Sequence, residues 1–170
     1  HLELRDVDLA FDGKSLLQEI GLSVHSRSDD VGDFVVIEGP SGGGKSSLLR
    51  LLNRLVEPTA GQMLVDGVLP AAAQTPHLRR QVALLQQTPV ILPDTVRGNL
   101  LLGDAFAPQP AATDEAQLRR DLDKVGLQHI ALDDAAEPLS VGQRQRLALA
   151  RLLRVQPRFL LADEPTSALD

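Results

Sequence analysis

A glycine-rich octapeptide set between an apolar run and an amphipathic stretch constrains this chain more than any other feature. Phe34-Val35-Val36-Ile37 is a short continuous apolar run, the pattern of a strand buried on both faces. Gly39-Pro40-Ser41-Gly42-Gly43-Gly44-Lys45-Ser46 follows almost at once. From Lys45 to Val56, apolar residues recur at 48, 49, 51, 52, 55 and 56, a helical spacing closed by Pro58. Strand, glycine loop and helix in this order predict a phosphate-binding turn. Glycines let successive backbone N–H groups turn inward around an anion, at the positive end of the following helix. In that frame Gly39, Ser41, Gly42, Gly43 and Gly44 cradle phosphate, and Lys45 reaches the β- and γ-phosphates. Ser46 is the expected magnesium ligand, and Ser47 adds a hydrogen bond to phosphate.

A second acidic motif complements the first. Phe159-Leu160-Leu161-Ala162 reads as a buried strand that ends in Asp163-Glu164. Beside a phosphate loop, such a strand places Asp163 to hold magnesium and Glu164 to orient or deprotonate an attacking water. Elsewhere the pattern is mixed. Leu2, Leu4, Val7, Leu9 and Phe11 predict an early strand with Asp12-Gly13 as its turn, and Ile20, Leu22 and Val24 predict its hairpin partner. Gln62–Val65 and Val82–Leu85 are further short strands, while 95–103, 114–125 and Leu139–Val155 carry helical patterns. The last has a basic face of Arg144, Arg146, Arg151 and Arg154. The expected fold is α/β: a P-loop core with a mixed sheet and an N-terminal antiparallel β-subdomain, plus an inserted α-helical subdomain. The divisions are 1–87 for β-subdomain and phosphate-loop core, 88–150 for the helical part, and 151–170 for the return to the core.

Composition narrows the class further. With 43% hydrophobic and 24% charged residues the chain has the composition of a globular domain. A net charge of −6 and 2% aromatic content offer nucleic acid neither a positive field nor stacking surfaces. No cysteine is present, which excludes disulfides and thiolate metal sites. No apolar run approaches the ~18 residues of a membrane span, so a membrane role requires another polypeptide to do the spanning.

Leu139-Ser140-Val141-Gly142-Gln143 opens the basic helix with Ser140 as a natural N-cap. Phosphate loop, this pentapeptide and the acidic strand, in that order, resemble the nucleotide-binding domain of ATP-binding cassette (ABC) proteins. Their signature is Leu-Ser-Gly-Gly-Gln followed by a helix like Gln143-Arg144-Gln145-Arg146-Leu147-Ala148-Leu149-Ala150-Arg151. The resemblance covers essentially the whole chain. It implies two such domains facing head to tail, with Ser140, Gly142 and Gln143 of one binding the γ-phosphate of ATP held by the other. It further implies that Phe11 stacks on adenine, and that Gln87 (with Gln86 adjacent) is the glutamine that contacts magnesium and water and relays nucleotide state to the partner. Ser167-Ala168-Leu169-Asp170 matches the loop that crosses the dimer interface. The stretch from Gln87 to Leu100 looks like small single-domain bacterial ABC ATPases, including a group linked to metal (iron) export.

Two departures follow from the same resemblance. Val141 replaces the first signature glycine, putting a β-branched side chain near the trans phosphate; tolerance is expected because Ser140 and Gly142 keep the donor positions, with weaker ATP-driven closure as the alternative. The family's switch histidine lies on a strand after the interface loop, and none of His1, His25, His77 or His129 occupies that position. A fragment of a longer protein is expected, inactive in isolation. The resemblance implies an ATPase subunit of an ABC transporter that uses ATP and Mg2+ and works as a homodimer. It docks an integral membrane permease and sits in the cytoplasm on the inner face of the membrane. The alternatives are a soluble ABC ATPase acting on ribosomes or nucleic acid, and a non-hydrolysing regulatory module.

Overall fold

In the computed structural model, residues 1–25, 34–104 and 114–165 are described. Strand β1 (Leu2–Phe11) and strand β2 (Lys14–Val24) form an antiparallel hairpin, and β3 (Ala60–Val65) adds to the other edge of β1, giving the order β2-β1-β3. The hairpin closes on Asp12 and Gly13, both at positive φ (48° and 75°), the two-residue turn that matches strand twist. β2 is longer than its alternation suggested because a bulge interrupts it. Glu19 sits at φ 48°, and its N–H donates to Asp8 Oδ1 at 2.7 Å, so the period-two pattern breaks while the strand continues. Where β3 starts, only glycine fits: Gly61 has φ 77°, and a Cβ there would lie 2.2 Å from the Asp6 carbonyl oxygen.

Helix α1 (Lys45–Leu52) follows the glycine loop and buries Leu48, Leu49, Leu51 and Leu52. It stops four residues earlier than the apolar spacing predicts, because Asn53 leaves helical geometry and Arg54 adopts φ 56°. Helix α2 (Thr75–Gln81), which the periodicity did not reveal, starts with a proline in its first turn and buries only Leu78. β4 (Val82–Leu85) and β5 (Phe159–Ala162) form a separate two-stranded sheet.

Two strand expectations need correction. Phe34–Ile37 forms no strand: Phe34 is 92% exposed, Val35 52% and Val36 61%. The run has no ladder partner among the described residues, so only Ile37 packs against a core. β5 does form, but it is not buried on both faces. Phe159 and Leu161 pack inward while Leu160 stays 41% exposed, the alternation of a strand covered on one side.

The chain divides into two units. The first, His1–Leu84 with Arg158–Leu161, has a core of Leu2, Leu4, Val7 and Leu9 from β1, the leucines of α1, and Met63, Leu78 and Val82. The second, Leu85–Pro157 with the residues from Ala162 onward, contains α3 (Val96–Leu101), α4 (Glu115–Lys124) and α5 (Val141–Arg154). Its core comprises Val96, Leu100, Leu118, Leu122, Leu127, Leu132 and Leu147. Each helix start carries its own cap: Thr95 Oγ1 accepts from Gly98 N, Asp114 Oδ1 from Gln117 N, and Ser140 Oγ from Gln143 N.

Candidate nucleotide site

In the first unit, the glycine loop is built for close approach by an anion. Gly42 and Gly44 hold φ 75° and 85°, left-handed values that admit few L side chains. Gly44 is doubly constrained, since a Cβ there would meet Leu17 Cδ2 at 2.9 Å and the Leu16 carbonyl at 3.2 Å. It is also the cap of α1, where a glycine brings no side chain to bond the first N–H groups of the helix. The loop closes on itself through Gly43 N–H to the Pro40 carbonyl at 3.1 Å. Lys45 Nζ donates to the Gly39 and Pro40 carbonyls, both at 2.9 Å, which fixes the ammonium over the loop with two of its three donors engaged. Ser41, Gly42 and Gly43 are exposed, and Ser46 and Ser47 are half-buried on the first turn of α1. Phe11 stands at the end of β1, 48% exposed, its ring outside the core.

The acidic residues lie in the second unit. Asp163 N–H donates to the Leu85 carbonyl at 3.0 Å, so the chain leaves β4 and β5 side by side. Two residues after Leu85 and one after Asp163, Gln87 Nε2 donates to Glu164 Oε2 at 2.9 Å. Asp163 is buried, at 9% exposure, whereas Glu164 is exposed and sits at φ 46°. Such a backbone value is uncommon for a non-glycine residue, and strain of this kind concentrates at functional positions. The Gln86 carbonyl receives a long 3.4 Å contact from Gln145 Nε2. Gln87 is the glutamine whose side chain meets the carboxylate.

The signature pentapeptide forms a reciprocal cap. Ser140 Oγ accepts from Gln143 N at 3.3 Å, and Gln143 Oε1 accepts from Ser140 N at 2.9 Å. Accepting through a lone pair leaves the Ser140 hydroxyl proton to donate elsewhere. Val141 is 60% exposed at the first helical position, so its side chain leaves the cap undisturbed. Ser167-Ala168-Leu169-Asp170, expected to cross an interface, lies outside the described residues.

The basic face of α5 turns out to be mostly internal wiring. Arg146 donates to the Gly142 and Gly126 carbonyls, Arg144 to the Leu139 carbonyl, and Arg151 to the Val90 carbonyl. Burial pulls the Arg151 guanidinium below its ordinary value. Arg154 is held between Asp104 and Asp121. Burial alone would raise Asp121, but hydrogen bonds from Arg154, Lys124 and Gln117 outweigh it and hold its carboxyl below the usual range. Sequence reasoning also missed Asn99. It is fully buried on α3, with Oδ1 accepting from Leu92 N at 2.9 Å and Nδ2 donating to the Leu92 and Thr95 carbonyls at 3.1 and 3.0 Å. One signal was available: a polar residue between Val96 and Leu100 on the apolar face of a short helix.

Comparison with known proteins agrees with this arrangement. STAR1 of Oryza sativa subsp. japonica is 42% identical over 158 residues, spanning 93% of this chain and 44% of that protein. The chain covers about a quarter to a half of the first curated relatives it matches. The dimeric structure of the ATP-binding cassette MJ0796 in a post-hydrolysis state, bound to ADP and Pi, superposes with a TM-score of 0.81. Its identity is 28%, over 100% of this chain and 76% of that one. A bacterial Atm1-family ABC exporter with ATP bound gives a TM-score of 0.84 at 28% identity, over 99% of this chain and 30% of that one. The profile described as ABC transporter matches residues 25–167, from before the glycine loop to past Glu164. By its fold, its ordered motifs and this match, the chain belongs to the ABC transporter family.

Proposed function

We propose that this chain is the ATP-binding and ATP-hydrolysing part of an ABC transporter, and that it pairs with a second cassette around two Mg-ATP to drive a membrane-spanning partner. The contact between Gln87 Nε2 and Glu164 Oε2 carries this reading, because it joins a carboxylate that can take a proton from water to an amide that can orient it. No helix among the described residues is long and apolar enough to cross a membrane. In the proposed arrangement the chain lies peripheral on the inner face, against the membrane-spanning partner. Several relatives are transport proteins by name, among them a spermidine/putrescine import ATP-binding protein of Spiroplasma citri and a lipid A-core flippase of Ralstonia.

Each residue has a part in this scheme. Gly39 to Gly44 and Ser47 bind phosphate through backbone and hydroxyl donors, and Lys45 neutralises charge on the β- and γ-oxygens. Phe11 stacks on adenine. The Ser46 hydroxyl, the buried Asp163 carboxylate and the Gln87 amide oxygen are hard oxygen donors, which suits magnesium. That ion, when bound, spreads the charge of the phosphate oxygens. Glu164 accepts the proton of the attacking water, held in line by Gln87. From the opposite cassette, Ser140, Gly142 and Gln143 supply donors at a helix start to the γ-phosphate. Residues 1–87 and 151–170 then act as the nucleotide-holding part, and 88–150 as the part that meets the membrane partner.

Expected results in the full-length protein are specific. Glu164→Gln should bind ATP normally and lose about 100-fold or more in kcat, the lower end of what a general base contributes. Lys45→Ala should abolish tight ATP binding. Near-normal hydrolysis by Glu164→Gln would remove Glu164 from the catalytic role. Recovery of ribosomes or nucleic acid, in place of a stoichiometric integral membrane protein, with the ATP-locked variant would overturn the transporter assignment.

A further inference from the structure

The loop that carries Gln87 is held at both ends by side chains, and the holding groups come mainly from one helix. Over residues 86–92, Gln145 on α5 contacts the Gln86 carbonyl at 3.4 Å. Arg151 on α5 donates through Nη2 to the Val90 carbonyl at 2.8 Å. Asn99 on α3 takes both the N–H and the C=O of Leu92. These anchors bracket Gln87 on both sides. The Gln145 contact is long, its side chain is 3% exposed, and Oε1 has no partner among the described residues. The Arg151 bond is the shorter, at 2.8 Å against 3.4 Å, and comes from a charged donor, so it is the firmer of the two links to α5. Arg151 lies eleven positions after Ser140 along one uninterrupted helix, an axial distance of ~16 Å at 1.5 Å per residue.

We infer that Arg151 is a positioning residue for Gln87, tying the glutamine loop to the helix whose first turn is the Ser140–Gln143 signature. A rigid helix fastened at its far end to the Val90 carbonyl moves that loop whenever its capped end moves. The setting of Gln87 against Glu164 therefore depends on where the signature turn sits. Val90 is a good handle for such a link, because its own side chain is 65% exposed and contributes little packing that would hold the loop independently. The inference rests on the reading of Gln87 and Glu164 as the hydrolytic pair, but the link itself can be tested without turnover.

The test uses the full-length protein with Arg151→Met, which keeps most of the aliphatic stem and removes the donor, and Arg151→Lys, which restores a cationic donor. Arg151→Gln replaces Arg151→Met should the latter not fold. Amide hydrogen exchange over 86–92 and steady-state ATPase kinetics are read in parallel, after circular dichroism establishes that the variants are folded. The expected result for Arg151→Met is faster exchange in that segment and a kcat lowered at least about tenfold, within the ~100-fold that an ångström of misplacement costs. KM for ATP should stay within about twofold, and Arg151→Lys should recover most of kcat. A residue with a merely structural role would lower folded fraction without this split or rescue. Unchanged exchange overturns the link. Faster exchange with unchanged kcat overturns the positioning role. If the unsubstituted protein does not hydrolyse ATP, the functional reading fails, and the exchange comparison still decides whether Arg151 holds the loop.

Discussion

Replacing Asn99 with alanine should remove a large part of the stability of the unit that contains α3. The Asn99 side chain is fully buried, and it makes three hydrogen bonds, two of them to the backbone of Leu92. Truncation leaves the Leu92 N–H and C=O without these partners, while the Thr95 carbonyl keeps its bond from the Asn99 N–H at 3.0 Å. An orphaned buried polar group costs ~1–3 kcal/mol. Leu92 is only half-buried, so water recovers part of that, and the net loss works out at about 2–4 kcal/mol. Against a typical stability of ~5–15 kcal/mol this is a large fraction. The chain has no tryptophan, so the assay is urea unfolding followed by far-ultraviolet circular dichroism, with amide exchange to separate the two units. With a urea slope of ~2 kcal/mol/M, the midpoint of the unit containing α3 should fall by about 1–2 M. A midpoint shift below about 0.25 M with unchanged slope would refute the assignment of Asn99 as the main staple of this loop.

Three further outcomes are expected. Gly44→Ala forces an L side chain to φ 85° and into Leu17 and the Leu16 carbonyl, so about 2–4 kcal/mol of stability should be lost and ATP affinity should fall; calorimetric binding titration checks the second part. Val141→Gly should leave stability within ~1 kcal/mol, because the side chain is 60% exposed on the first turn of α5. It should tighten the ATP-dependent dimer of the Glu164→Gln variant, measured by light scattering across a dilution series, and an unchanged dimer constant would count against the attenuation reading. Asp121 has its pKa lowered in the folded state, so its contribution is fully present above the unfolded value near ~4 and is lost as pH falls through the lower folded value. The stability gap between the protein and Asp121→Asn should therefore shrink below about pH 4, and a gap that is constant from pH 7 to pH 3 would contradict the Arg154–Asp121 pairing.

The geometry of the candidate site residues was legible because it is written in local sequence. Glycines at left-handed φ, a lysine after them and a serine at a helix cap are decided within a few residues of chain. What stayed hidden depends on contacts far apart in sequence. The Val90 carbonyl and Arg151 are separated by 61 positions, and no periodicity predicts that an arginine on a polar face ends on a backbone carbonyl. The apolar run 34–37 misled for a related reason. A buried strand needs ladder partners on its edges, and hydrophobicity alone cannot say whether they are present. β2 was foreshortened because a bulge at Glu19 shifted its alternation, and α2 was missed because a helix that buries one leucine leaves no stripe to read.

The ladder bond from Asp163 N–H to the Leu85 carbonyl also sets where this chain can change length. From that bond, Gln87 is reached in two residues and Glu164 in one, with no slack on either side. One inserted or deleted residue in 86–87 or at 163–164 would move one partner by ~3.3 Å and turn its side chain to the opposite face. At the exposed stretch from Gly67 to Leu69, beyond the Asp66 carboxylate that holds the His1 amino group and Arg158, an added residue alters a surface connection. Variation in length should therefore be absent from the two strand ends and collect at turns of this second kind, which random insertion libraries selected for ATP turnover would show directly.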